Sequence, residues 1–284
     1  MTFWILQLLN GLSFGALLFL LAAGLSLIFG LMRIVNLAHG SFYLIGAYVG
    51  LTTIQQTGNF YLGLVAAAFA VGIVGGVLQR VLLQRYQDNE LAQVLLTFGI
   101  LLILSDGALW IWGGLPQSLP KPELFEGSIN LGSIVFPTYR LFILFTGFAA
   151  ALLLWLFLDR TKLGSIVRAG VDDEQMVRGM GINMPNVFTG VFVLGAVMAA
   201  LGGVLGGPII GAYPGLDFEV VLLAFVVVVI GGLGSLKGAF FGSLFVGLVD
   251  NFGKALFPEF ALFTIFIPMV IVLAVRPTGL FGRA

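Results

Sequence analysis

The side chains best suited to chemistry in this sequence fall into three clusters. Val35-Asn36-Leu37-Ala38-His39-Gly40-Ser41 gathers three polar groups, Asn36, His39 and Ser41, at a helix break, and His39 is the single histidine of the chain. Polar groups at membrane depth are costly, so they line a cavity or satisfy exposed backbone. A lone imidazole is more often structural than a ligand or base, and with no second histidine or nearby carboxylate it makes no metal site. Gly231-Gly232-Leu233-Gly234-Ser235-Leu236-Lys237-Gly238 invites comparison with a phosphate loop. A Walker A motif, however, runs Gly, four residues, then Gly-Lys-Ser/Thr, whereas here Lys237 precedes Gly238 and no Ser or Thr follows. Gly231, Gly232, Gly234 and Ser235 therefore read as a tight break between two helices, with Lys237 at the membrane interface.

The third cluster, Asp159 to Asn186, is the longest charge-dense run in the chain. Its basic residues Arg160, Lys162, Arg168 and Arg178 and its acidic residues Asp159, Asp172, Asp173 and Glu174 require water. Spacing predicts a short helix capped by Asp172, with Asp173 and Glu174 in its first turn and Gln175 completing a capping box. Arg178 suits its C-terminal dipole, and Gly179 and Gly181 end it. Met176, Val177 and Met180 are expected on one apolar face. Spacing leaves two readings open, a helix lying on the membrane surface and a docking surface for a partner.

These clusters must be positioned by membrane helices. In 284 residues, 60% are hydrophobic and only 9% are charged, a composition that cannot be solvated as a globule. Apolar runs exceed the roughly 20 residues that carry an α-helix across hydrocarbon, and 40 glycines point to close helix contacts. The net charge of zero gives no reason to expect nucleic acid, and without cysteine there is no disulfide or thiolate metal site. The N-terminus lacks a basic n-region and a cleavage site, and reads as a retained first helix.

Nine spans are predicted, at about 8–32, 40–55, 61–79, 91–112, 139–158, 187–210, 219–233, 238–256 and 261–275. The fold class is an all-α membrane protein, a polytopic bundle of about 8–10 transmembrane helices in one domain, 1–284. The 40–55 and 219–233 spans are short and abut breaks, which fits discontinuous or re-entrant helices. An external N-terminus and cytoplasmic C-terminus place Arg33, Arg80, Arg85, Arg160, Lys162, Arg168, Arg178, Lys237, Arg276 and Arg283 inside, ten of thirteen basic residues. The 159–186 loop is then cytoplasmic. The loop 113–138 and the turn 211–217 fall outside and are expected to be irregular. His39-Gly40-Ser41-Phe42 and Lys237-Gly238-Ala239-Phe240 hint at an internal repeat, at the level of chance similarity. Among intramembrane ions, Asp250 and Lys254 are spaced to pair, and Asp106 stands in the fourth span. No nucleophile and base, or paired catalytic carboxylates, are visible.

Gly30-Leu31-Met32, Asn36-Leu37-Ala38-His39-Gly40, Gly46-Ala47-Tyr48, Arg168-Ala169, Gly181-Ile182 and Gly231-Gly232-Leu233-Gly234-Ser235 follow one another in an order that resembles the LivH-type permeases of high-affinity branched-chain amino acid ABC importers. The resemblance implies a bacterial inner-membrane subunit of the ABC importer permease type. Its partners would be a second related permease, two cytoplasmic ATPases and a periplasmic substrate-binding protein, with membrane lipid around it. This chain would have no enzymatic activity of its own and hold no cofactor, ATP being bound by the ATPases.

The resemblance makes Arg168 to Ile182 a coupling segment, with Arg168, Asp172, Met176, Val177, Met180, Gly181 and Ile182 as its contact residues. The broken helices at Asn36, His39, Gly40 and Ser41 and at Gly231, Gly232, Gly234 and Ser235 would shape the translocation pathway. Three departures stand out: Ser41 where many members have an acidic residue, Lys237 where many have proline, and Val177-Arg178 where small or apolar residues are usual. Permeases for urea and short amides share these motifs and form the alternative substrate class. A secondary transporter independent of any ATPase, driven by protons through Asp106, Asp250 or His39, is a further alternative.

Overall fold

The computed structural model describes residues 2–87, 89–132, 134–261 and 263–282. In chain order come α1 (Thr2–Met32), α2 (His39–Thr57), α3 (Phe60–Val77), α4 (Glu90–Trp112), a hairpin of β1 (Ser128–Leu131) and β2 (Ile134–Pro137), then α5 (Thr138–Arg160), α6 (Lys162–Asp172) and α7 (Glu174–Gly179). The chain finishes with α8 (Met184–Ile210), α9 (Leu216–Gly231), α10 (Leu236–Leu256) and α11 (Phe266–Val275). α3 continues through one wide and one tight turn to Tyr86. Among the described residues, six helices are long and apolar enough to cross a membrane: α1, the extended α3, α4, α5, α8 and α10. With α2, α9 and α11 they occupy the nine predicted spans, and the fold is that of an all-α polytopic membrane protein.

α1 is the central pillar. It is apolar all round, the pattern of a helix enclosed by protein, and residues 15–28 are all buried. Glycines let its neighbours approach to backbone contact, which is how helices associate where lipid removes the hydrophobic incentive. A Cβ on Gly11 or Gly15 would press on the backbone of Leu248 or Leu244 in α10, and one on Gly24 would press on Gly195 in α8. α2 and α8 run side by side through Gly46 against Ala200. By contrast α3, α4 and α5 expose most of their apolar outer faces.

Both short helices begin inside the bundle. After Met32 the chain leaves helical geometry, with Arg33 in the left-handed region at φ 54°, and residues 33–38 turn back along α1. Nε2 of His39 then lies 2.9 Å from the carbonyl oxygen of Leu21, so α2 starts eleven residues, about 16 Å, above the end of α1. On the other side α8 ends at Ile210, residues 211–215 double back, and α9 begins against the start of α2. Two discontinuous helices thus meet N-terminus to N-terminus within the membrane and run to opposite ends.

The ends of the bundle segregate charge. Arg33, Arg80, Arg85, Arg160, Lys162, Arg168, Arg178, Lys237 and Arg276 lie at or beyond helix ends that meet at one pole. Lys121, Arg140 and Lys254 belong to the other pole, and Arg283 lies outside the described residues. At that second pole the expected irregular loop carries the β1–β2 hairpin, whose Ile134 and Phe136 alternate inward with exposed Val135. Gln117 and Ala212 exchange backbone hydrogen bonds of 2.9 and 2.7 Å across the two outer segments.

Candidate functional site

The meeting of α2 and α9 is built from Gly40, Ser41, Ser105 and Asp217. Gly40 has no room for a side chain, since a Cβ there would overlap the carbonyl oxygen of Asp217. Contact at that distance brings the Asp217 carboxylate to α2, where the Ser41 hydroxyl lies 3.2 Å from its Oδ2. Ser105 of α4 donates to Oδ1 at 3.4 Å. Asp217 is 0% exposed. An acidic group in the first turn of a helix is favoured by the positive end of the helix dipole, and here it serves two helix N-termini at once. The polar set continues along the break: Asn36 is fully buried with neither amide atom bonded within the described chain, and Nδ1 of His39 is likewise unpartnered. Thr97 of α4 supports the non-helical strand, accepting from the Leu37 amide at 3.3 Å.

Sequence reading placed 211–217 in an outer turn. Ala212 is there, but Asp217 descends to the level of Ser41, so the partner of the α1–α2 break is the α8–α9 break. Gly231, Gly232, Gly234 and Ser235 are not brought to this junction. They form the turn between α9 and α10 at the opposite end of α9, about 20 Å away by helix rise. Gly232 and Gly234 take φ 106° and 75°, which only glycine adopts freely, and Ser235 caps α10 by accepting from the Gly238 amide at 3.0 Å. Gly234 packs on Gly30 of α1. This cluster forms the corner between α9 and α10, and the similar segments 39–42 and 237–240 are helix starts at different heights.

Asp250 and Lys254 pair at 2.7 Å, as their spacing implied. Asp217 was not singled out from the sequence, although its place one residue after an apolar Leu216 and beyond Gly215 is a helix-start signal.

The charged loop forms α6 and α7 beneath the pillar. Gly164, Val167 and Gly170 bury one face of α6, with Gly170 against Met184 and Leu31. Arg168 pairs with Asp159 and fastens α6 to the end of α5. α6 extends through Asp172, so the cap of α7 is Asp173, whose Oδ1 accepts from the Met176 amide at 2.9 Å. That corrects the expected capping by Asp172 and removes the capping box with Gln175. The expected single apolar face is also divided. Val177 is 3% exposed, whereas Met176 and Met180 are 68% and 74% exposed, because residues four apart share a side and Val177 lies about 100° round. Gly181 turns the chain at φ 82°, and Ile182 packs partly buried against the core.

The inner side of α7 has a specific neighbourhood. Glu174 and Arg178, paired at 2.5 Å, line one cavity with Met32, Ile34, Gln87, Gln93 and Phe188. The short helix therefore presents two methionines outward, while its ion pair borders the cavity between α7, the foot of α1 and the first residues of the break.

Comparison with known proteins gives a consistent picture. The family model described as branched-chain amino acid transport system / permease component matches residues 7–275. The chain is 31% identical to the high-affinity branched-chain amino acid transport system permease protein BraD of Pseudomonas aeruginosa, over 98% of this chain and 95% of that one. It is also 31% identical to the corresponding LivH of Escherichia coli K12, covering 99% and 96%. Among solved structures, a chain of PsaBC from Streptococcus pneumoniae in complex with Fab has a similar fold, with TM-score 0.51, 17% identity and coverage of 95% and 91%.

Proposed function

The chain belongs to the branched-chain amino acid transport system permease family, and from that membership we propose that it is the membrane-spanning subunit of an ATP-driven ABC importer for branched-chain amino acids. It works beside a second, related permease subunit, with two ATPases on the cytoplasmic side and a binding protein delivering substrate from the periplasm. The excess of basic residues at the pole carrying α6 and α7 supports a cytoplasmic position for that pole and for the C-terminus. The N-terminus of α1 is then periplasmic, in the inner membrane of a bacterium.

One observation carries the coupling role: α7 has two distinct sides, with Met176 and Met180 turned outward while buried Val177 anchors it on the bundle. Methionine is adaptable and suits a surface that must stay in contact while its partner moves. ATPase closure pushes α7 against Met32 and Ile34, and the 33–38 strand passes that motion to the start of α2. Because Asp217 and Gly40 join α2 to α9, the two discontinuous helices shift together and change which end of the pathway is open. The scarcity of fixed charge within the bundle suits an apolar side chain passing through without being held.

The test is uptake of labelled leucine into vesicles carrying the permease pair, the ATPases and the binding protein. Uptake should require ATP and survive an uncoupler that collapses the proton gradient. Leucine uptake without any ATPase subunit, or its loss with the uncoupler alone, would refute the assignment. Urea uptake in place of leucine would overturn the substrate.

A further inference from the structure

α4 carries a carboxylate where lipid would not tolerate one. Asp106 is exposed, and it makes no hydrogen bond or ion pair within the described chain. The helix ends at Trp112, so Asp106 stands six residues, about 9 Å, inside that end. Its neighbour Ser105 reaches the Asp217 carboxylate, which places Asp106 near the height of the α2–α9 junction. A carboxylate facing hydrocarbon at depth is strongly disfavoured, and aspartate is too short to reach the interface. The side of α4 that holds it therefore faces water or protein.

That side is continuous. At 100° per residue, Leu95, Gly99, Ile103, Asp106 and Trp110 form one stripe, and Leu95, Ile103 and Trp110 are among the most exposed apolar residues of the molecule. Gly99 has open space where a side chain would stand. An apolar stripe interrupted by one unpaired anion matches a zwitterionic substrate with an aliphatic side chain: the stripe accepts the side chain, and the anion meets the ammonium.

We propose that this face of α4 lines the outer half of the aqueous translocation pathway, and that Asp106 contacts the ammonium group of the amino acid in transit. The inference rests on the amino acid reading above for its ligand, and on Asp106 alone for its location. Asp106 is then a specificity-determining residue: it favours substrates bearing an ammonium over neutral amides.

The absence of native cysteine makes the location directly testable, because Asp106→Cys gives this subunit a single thiol. In the assembled importer in right-side-out vesicles, that thiol should react with a membrane-impermeant trimethylammonium methanethiosulfonate. Phe69→Cys, on the exposed outer face of α3, should remain unlabelled. Wild-type leucine uptake is measured first; its absence overturns the substrate reading, while the labelling still decides whether the face meets water. Given wild-type uptake, Asp106→Asn should raise KM for leucine about tenfold, the scale of one lost charge-assisted hydrogen bond. Asp106→Glu should restore most of it. An unreactive thiol overturns the pathway assignment, and unchanged KM in Asp106→Asn overturns the ammonium contact.

Discussion

Replacing Gly40 by leucine is expected to leave almost no correctly assembled protein, and replacement by alanine to lower its thermal stability. The reason is local and steric. A Cβ at Gly40 would overlap the Asp217 carbonyl oxygen, and the next nearest atoms are the Asp217 carbonyl carbon and Cβ of Val221. Backbone cannot swing aside as a side chain does. Overpacking a core costs about 1–3 kcal/mol when neighbours can relax, and here relief requires separating α2 from α9, with loss of the Ser41 and Ser105 bonds to Asp217. Thermal melting and size-exclusion profiles of the solubilised protein measure the effect. Gly190→Ala in α8, where no atom lies within 4 Å of the added carbon, should be neutral or mildly stabilising. Equal behaviour of the two alanine variants would show that the junction is not a close contact.

The second large effect is expected from Met176→Glu combined with Met180→Glu. Both side chains point away from the bundle, so the double variant should fold and reach the membrane in normal amounts. Leucine uptake should nevertheless fall by at least about thirtyfold, because a hot-spot contact at the centre of a protein interface is worth about 2 kcal/mol or more. Substitutions at Val177 behave differently. That side chain is an anchor of α7 on the bundle, so its loss reports on the seating of the helix and not on the docking surface.

Much of the architecture was legible in the sequence because membrane helices are written in long apolar runs. A helix stands at each of the nine predicted spans, six of them, among the described residues, long and apolar enough to cross a membrane, and the short 40–55 and 219–233 runs indicated discontinuous helices. What failed was depth. Gly211, Pro214 and Gly215 announced a turn, but nothing local states that the chain after it returns into the bundle, so Asp217 was placed outside. Its position is set by glycine-mediated contact with a helix 176 residues away.

The cap of α7 failed by one residue for a related reason. Asp172, Asp173 and Glu174 offer adjacent acidic candidates, and the choice depends on α6 continuing to Asp172 through the burial of Val167 and Gly170. Val177 and Met176 are both apolar in sequence, and only the packing of α7 on the bundle, which buries Val177 and leaves Met176 exposed, separates anchor from contact. The Gly231–Ser235 motif was recognised as a break, but its chemistry is that of a corner packed on Gly30.

Docking of α7 on an ATPase subunit is measured most directly by cross-linking. Met176→Cys places one thiol on a chain that has none, 68% exposed at its parent position, in a complex assembled with the ATPases and the second permease. A short thiol-reactive photo-cross-linker should join this chain to an ATPase subunit, with a yield that changes when ATP is bound. Recovery of adducts only with lipid, and none with an ATPase in either nucleotide state, would contradict the coupling role and return α7 to a helix lying on the membrane surface.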